Sequence, residues 1–222
     1  MMQIINQIYP IEDEREYILD LFSTVICPLI RKDQILVAYG TGGDGKSTMN
    51  YILTAMLGVS SSMNTMCYEN GGKVLLTVPS GYASNINVST FTHAKRDGNG
   101  HDEGGKVNMA HKTFCVCQEP DQDKILITSV IKDLTSGAIS HGRKINKAET
   151  MFKNNALIVM ESNRVLQYDT VDDAVKRRMI VYQHKSKFTT EVNDKQLSNV
   201  QFKFSANQEL INRAKTHTEY WD

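Results

Sequence analysis

An octapeptide, GTGGDGKS at 40–47, lies between an apolar pentad, ILVAY at 35–39, and a stretch in which Met49, Ile52, Leu53 and Met56 recur at helical spacing up to Gly58. The order is strand, glycine loop, helix, and the loop fits G-x-x-x-x-G-K-[ST] with Gly40, Gly45, Lys46 and Ser47 in the defined places. Glycines let the backbone wrap a phosphate chain with its N–H groups, and the helix that follows presents its positive N-terminus to the anion. Gly40, Thr41, Gly42, Gly43, Asp44, Gly45, Lys46, Ser47 and Thr48 are therefore the candidate nucleotide-binding residues. Lys46 is expected to reach the β- and γ-phosphates and Ser47 to hold Mg²⁺, which makes ATP and Mg²⁺ the expected ligands.

Around this loop the chain alternates between the two hydrophobic periods. Ile18, Leu21, Phe22 and Val25 mark a leading helix that Pro28 ends, and KVLLTV at 73–78 reads as a strand stopped by Pro79. TFCVC at 113–117 is a strand, and Ile127, Val130, Ile131 and Leu134 share one face of a helix that Gly137 stops. ALIVM at 156–160 is another buried strand, followed by a short helix near 171–177 and a last strand, RMIVY at 178–182. The polar, glycine-bearing stretch from Gly81 to Lys112 reads as largely a surface excursion with nothing of the core in it. Strands alternating with helices predict an α/β fold with a mainly parallel sheet covered on both faces, whose ligands sit at the carboxyl ends of the strands. With 222 residues, the predicted organisation is a leading helical segment at 1–30, one core at 31–190 and a tail at 191–222.

Charge and composition remove several classes of function. The 25 basic residues balance 25 acidic ones, so attraction to nucleic acid must come from local patches rather than net charge. One such patch, at 139–148, holds His141, Arg143, Lys144 and Lys147 without an acid, and its turn residues Gly142 and Asn146 suit a hairpin. A second, at 174–190, holds Lys176, Arg177, Arg178, His184, Lys185 and Lys187. No apolar run approaches the ~18 residues of a membrane span, and the acidic start resembles no signal peptide, so an intracellular protein with no membrane partner is expected. Cys27, Cys67, Cys115 and Cys117 lack paired metal or redox spacing and read as reduced thiols. His93, His101 and His111, with Asp102 among them, match no compact zinc pattern and read as surface residues.

Two polar residues fall just past strand ends, where a nucleotide would lie. Glu119 follows the strand at 113–117, the place of a carboxylate that handles magnesium or activates the attacking water. Asp121 or Asp123 would assist the metal or cap the next helix. Asn163 follows ALIVM, placed to hydrogen-bond a γ-phosphate or a lytic water.

The succession of glycine loop, strand ending in Glu119, KDLTSGAISHGRK at 132–144, strand ending in Asn163 and the pair Arg177–Arg178 resembles the superfamily 3 helicases. The likeness is strongest to the primase-helicases of poxviruses and other large DNA viruses. It covers nearly the whole chain, and its specificity lies in the order of the motifs rather than in any motif after the first. It implies an AAA+ ATPase that forms a homo-hexameric ring and pulls single-stranded DNA through a central pore. On this likeness the segment at 139–148 is the pore hairpin, with Lys144 or Lys147 at its tip. Arg178, fifteen positions beyond Asn163, takes the place of the arginine finger supplied to a neighbour's ATP, with Arg177 as its rival; either could instead pair with Asp172 or Asp173. The implied setting is viral DNA replication in the host cytoplasm or nucleus, beside a primase domain or other replication proteins.

The sequence also departs from the family pattern. Asp44 stands where the family usually has asparagine, Ala138 replaces an aspartate, and Gln118 stands where a second acid is common. The chain runs only a short way past the last strand, where family members carry a further small domain, so a core cut from a longer protein and a minimal ATPase are both open. A nucleotide or polynucleotide kinase, or a nucleic-acid-binding module with an inactive nucleotide pocket, would use the same loop.

Overall fold

The computed structural model describes residues 2–27, 33–58, 62–69, 72–79, 81–92, 103–118, 125–143, 148–190 and 201–206. Two helices lead, α1 (Met2–Ile8) and α2 (Glu12–Ser23). β1 (Ile35–Tyr39) enters the glycine loop, α3 (Lys46–Leu57) leaves it, and β2 (Ser62–Glu69) and β3 (Gly72–Pro79) follow. After β4 (Ala83–Ile86) come α4 (Glu103–Val107), β5 (Phe114–Cys117), β6 (Ile125–Leu126) and α5 (Thr128–Thr135). β7 (Ile139–Arg143) and β8 (Glu149–Lys153) form an antiparallel hairpin. The chain then makes β9 (Leu157–Ser162), β10 (Gln167–Tyr168), α6 (Asp173–Arg178), β11 (Met179–Gln183), β12 (Ser186–Thr189) and β13 (Phe202–Ser205).

Five of these strands make the central sheet, in the order β11-β1-β9-β5-β4, and every pairing within it is parallel. Continuous apolar runs become its strands because both faces are covered, so alternate residues serve two separate cores. Ile35, Val37, Cys115, Cys117, Ile158 and Met160 pack on one face with Val130, Ile131 and Leu134 of α5. Leu36, Ala38, Phe114, Val116, Leu157 and Val159 pack on the other with Ile5 and Ile8 of α1, Ile18 and Phe22 of α2, and Met49 and Leu53 of α3. Cys115 and Cys117 are thus buried thiols outside any disulfide; burial raises the thiol pKa of Cys117 to about 12 and that of Cys115 further still.

The α/β class and the parallel sheet agree with the sequence expectation, and four details do not. The strand that begins at Met179 is not the last, since β12 and β13 follow it and pair with each other in parallel. The run at 73–78 joins a separate antiparallel pair with β2, a strand the sequence reading missed, rather than the central sheet. The stretch from Gly81 to Lys112 is no mere surface excursion: β4 is an edge strand of the central sheet, and Ala83, Ile86, Val88, Phe91 and Met109 are buried. An edge strand needs few apolar residues, and ASNI buries only its first and last, Ala83 on one face of the sheet and Ile86 on the other. The leading segment also contains an extra helix, α1, whose Ile5 and Ile8 are core residues.

Candidate nucleotide-binding site

The glycine loop turns out of β1 because three of its glycines adopt left-handed backbone that a side chain would disfavour: Gly42 at φ 80°, Gly43 at 61° and Gly45 at 90°. Its first residue is tied to the neighbouring strand by a hydrogen bond from the Gly40 amide to the Ser162 carbonyl, 3.0 Å. A cavity of about 440 Å³ opens here, lined by the loop from Gly42 to Thr48 and by Gln118, Glu161 and Asn163 from the carboxyl ends of β5 and β9.

Lys46 is almost fully buried, and its ammonium donates to Asp44 Oδ2 at 2.5 Å and to Asn163 Oδ1 at 3.1 Å. Asn163, singled out in sequence, therefore meets the loop lysine from 117 positions away. Asp44 is also buried and sits hard against Gly40, where an added Cβ would lie 1.9 Å from its Oδ2. Any side chain at position 40 would displace that carboxylate from its present place.

Sequence reasoning missed a buried acid that meets the loop from β9. Glu161, buried near the end of β9, accepts from Ser47 Oγ at 2.9 Å and from Asn50 Nδ2 at 2.5 Å. The signal was there, a carboxylate two positions before Asn163 in an otherwise apolar strand. Ser47 and Glu161 together offer oxygen donors to the cavity, the donor chemistry a hard divalent cation such as Mg²⁺ takes. Among the described residues no cluster of three His, Cys, Asp or Glu side chains forms a metal site.

The far side of the loop is covered by the segment after β11. The Phe188 amide donates to the Gly43 carbonyl at 2.7 Å and the Lys187 ammonium to the Gly42 carbonyl at 2.5 Å. Ile8 and the Phe188 ring close on Gly45, where an added Cβ would meet them at 2.6 and 3.2 Å. His184 is buried between Tyr9 and Tyr182, with ring centroids 5.4 and 5.0 Å away. Burial, with Lys46 nearby, pushes its pKa down to about 4, against the opposing pull of Asp44. Burial likewise raises the Tyr9 phenol far above its ordinary value.

The remaining expected site residues are placed as follows. Glu119, Asp121, Asp123, Lys144, Lys147, His93, His101 and Asp102 lie outside the described residues. His141 and Arg143 stand on the exposed face of the β7–β8 hairpin, His141 paired to Glu149 at 3.0 Å. Arg177 and Arg178 end α6, just before β11 begins. Their suggested ion pairs are made by other residues: Asp172 pairs with Lys132 and Asp173 with Lys176, while Arg178 donates to the Ala174 carbonyl. Met179 pairs in register with Ile35 and Gln183 with Tyr39, so both arginines lie at the end of the sheet opposite their own glycine loop.

A glycine loop at the carboxyl end of β1, in a parallel sheet ordered β11-β1-β9-β5-β4 and flanked by helices, defines a P-loop NTPase-like α/β fold. Among curated proteins the chain is similar to "Putative primase C962R" of African swine fever virus, 22% identical over 188 residues in the Badajoz 1971 strain and 23% in the Warthog/Namibia isolate. That match takes in 85% of this chain but 17% of the viral protein. Among solved structures the C-terminal region of NrS-1 superposes with a TM-score of 0.57 at 14% identity, over 99% of this chain and 43% of that one. A further NrS-1 C-terminal structure, spanning its residues 305–718, gives 0.57 at 15% identity over 96% and 43%. No family model matches.

Proposed function

We propose that the chain is the ATPase core of a viral replicative DNA helicase of the superfamily 3 type, hydrolysing ATP at subunit interfaces of a homo-hexameric ring to translocate on single-stranded DNA. One observation carries the ATPase reading: Lys46, Asn163 and the Ser47–Glu161 pair converge on one cavity at the carboxyl ends of adjacent parallel strands. The likeness to a viral protein named as a primase supports replication as the setting, with a primase domain or other replication proteins as partners.

Each residue then has a definable task. The loop amides and Lys46 seat the triphosphate, and Asn163, already bonded to Lys46, orients the terminal phosphate or the attacking water. Bound Mg²⁺ neutralises charge on the phosphate oxygens, with Ser47 as its protein ligand and Glu161 holding the serine hydroxyl. Glu119, which follows β5, takes the proton of the attacking water. Arg178, or Arg177, serves the nucleotide of an adjacent subunit. Its own loop lies at the other end of β11, at least four residues or ~13 Å away at the usual rise of a strand. His141, Arg143, Lys144 and Lys147 on the hairpin hold DNA phosphates without reading sequence.

DNA-stimulated ATP hydrolysis tests the proposal. Wild-type protein should hydrolyse ATP with Mg²⁺, faster with single-stranded DNA. Lys46→Ala should abolish turnover and weaken nucleotide binding, whereas Glu119→Gln should bind ATP and leave it intact. Hydrolysis indifferent to DNA, or phosphate passed to a nucleoside or polynucleotide acceptor, would count against a helicase and for a kinase.

A further inference from the structure

The glycine loop is held from behind, and the contacts there have a direction. A trans peptide unit is planar, so a carbonyl pinned to one side fixes the next residue's N–H to the other. The Lys187 ammonium pins the Gly42 carbonyl and the Phe188 amide pins the Gly43 carbonyl, which turns the amides of Gly43 and Asp44 the opposite way. Neither Lys187 nor Phe188 is among the residues lining the cavity, whereas Gly43 and Asp44 are. Both donors belong to β12, and β12 is itself anchored to other elements of the fold. The Ser186 hydroxyl donates to the Gln7 carbonyl of α1 at 2.5 Å, and β12 pairs with β13, where the rings of Phe188 and Phe204 lie 5.6 Å apart. Glycine at 42 and 43 brings no side chain to restrict its backbone, so an unbraced loop of this composition would sample many amide directions.

We propose that Lys187 is a positioning residue of the phosphate site: from β12 it holds the Gly42 carbonyl outward and, with the Phe188 amide, fixes the direction in which the Gly43 and Asp44 amides meet a nucleotide's phosphates. The inference rests on the reading of the loop as a nucleotide site. Lys187 does not touch the phosphates. It reduces the ordering the loop must undergo on binding, which is how preorganisation raises affinity. Its ammonium is also a cation beside the anion's seat, so losing it removes both a charged hydrogen bond and an attractive charge.

The test compares wild type with Lys187→Met, which keeps the aliphatic stem and loses the donor, and Lys187→Arg, which keeps a donor. Binding of ATP with Mg²⁺ is measured by calorimetry, and inorganic triphosphate is used as a competitor because it has no base or sugar. The methionine variant should bind both at least about tenfold more weakly, the lower end of the scale of a charged hydrogen bond. The arginine variant should bind both within about threefold of wild type, on the same conversion of energy to affinity. Both should melt within a few degrees of wild type. An unchanged affinity in Lys187→Met, a loss for ATP but not for triphosphate, or a methionine variant that fails to fold would each overturn the positioning role. If wild type bound neither ATP nor triphosphate, the nucleotide reading would fall with it, a pattern distinct from the other three.

Discussion

Asp44 and a triphosphate would compete for the same ammonium. The Asp44 carboxylate and the Lys46 ammonium are both nearly buried and 2.5 Å apart, so seating a phosphate beside Lys46 requires Asp44 to give way. Removing one partner of a buried pair leaves the other uncompensated, at a cost of roughly 3–5 kcal/mol where no substitute is supplied. A bound phosphate supplies the substitute. Asp44→Asn should therefore lower the melting temperature without nucleotide, raise ATP affinity by about tenfold, and recover its stability when ATP is added. Calorimetry and thermal melting check this together, and weaker ATP binding by the variant would contradict it. The loop itself was legible in the sequence because everything its backbone needs is contiguous: glycines where φ is positive, then the lysine that opens α3 and the serine after it. Glu161 stood out only as a carboxylate after an apolar run; its role was not legible, because its partners Ser47 and Asn50 lie 114 and 111 positions away and only the pairing of β1 with β9 brings them together.

Among the elements, the link from β11 to β12 carries a pH signature. His184 sits in this link, its amide bonded to the Tyr39 carbonyl, its ring facing Tyr9, Tyr182, Asp44 and Lys46. Its pKa is lowered to about 4 in the folded chain from an ordinary 6.5, chiefly by burial. Between those values the unfolded chain binds the extra proton, so stability rises with pH there. The contribution is complete above about pH 6.5 and is lost as pH falls toward 4, amounting to roughly 3 kcal/mol at most. Urea titrations across this window should show the loss in wild type and a flatter profile in His184→Phe; identical profiles would refute it. A hairpin was expected here from Gly142 and Asn146, yet Gly142 lies within β7, paired with Thr150, and Asn146 is outside the described residues; the exposed face carries Ile139, His141 and Arg143 on one strand and Glu149 and Met151 on the other. Alanine at both Lys144 and Lys147 should weaken single-strand binding alike for all sequences and lower the log–log salt slope by ~0.7 per lost contact. An unchanged slope would make the hairpin a solvated turn. β4 and the segment through Phe91 escaped sequence reading for the opposite reason: four residues of mixed polarity carry almost no periodic signal, and their place is set by pairing with β5.

On the scale of the whole molecule, the sheet separates the parts of the proposed catalytic machinery. Lys46, Glu161 and Asn163 gather at its carboxyl end, while Arg177 and Arg178 stand where β11 begins, at the amino end. An arginine so placed completes a nucleotide site only by belonging to a neighbour, so a single subunit should hydrolyse ATP poorly and specific activity should rise with protein concentration. The chain spans 17% of the length of the curated viral relatives it matches, and assembly is best measured on the protein in hand rather than inferred from theirs. The most direct measurement mixes two variants that are inactive alone, Lys46→Ala and Arg178→Ala, and follows ATP hydrolysis as their ratio changes, with Arg177→Ala in a parallel series. In the proposed ring, mixed assemblies would contain interfaces that join the intact loop of one variant to the intact arginine of the other, so activity should return and peak at intermediate ratios. Mixed rings that form yet stay inactive in both series would contradict catalysis shared between subunits.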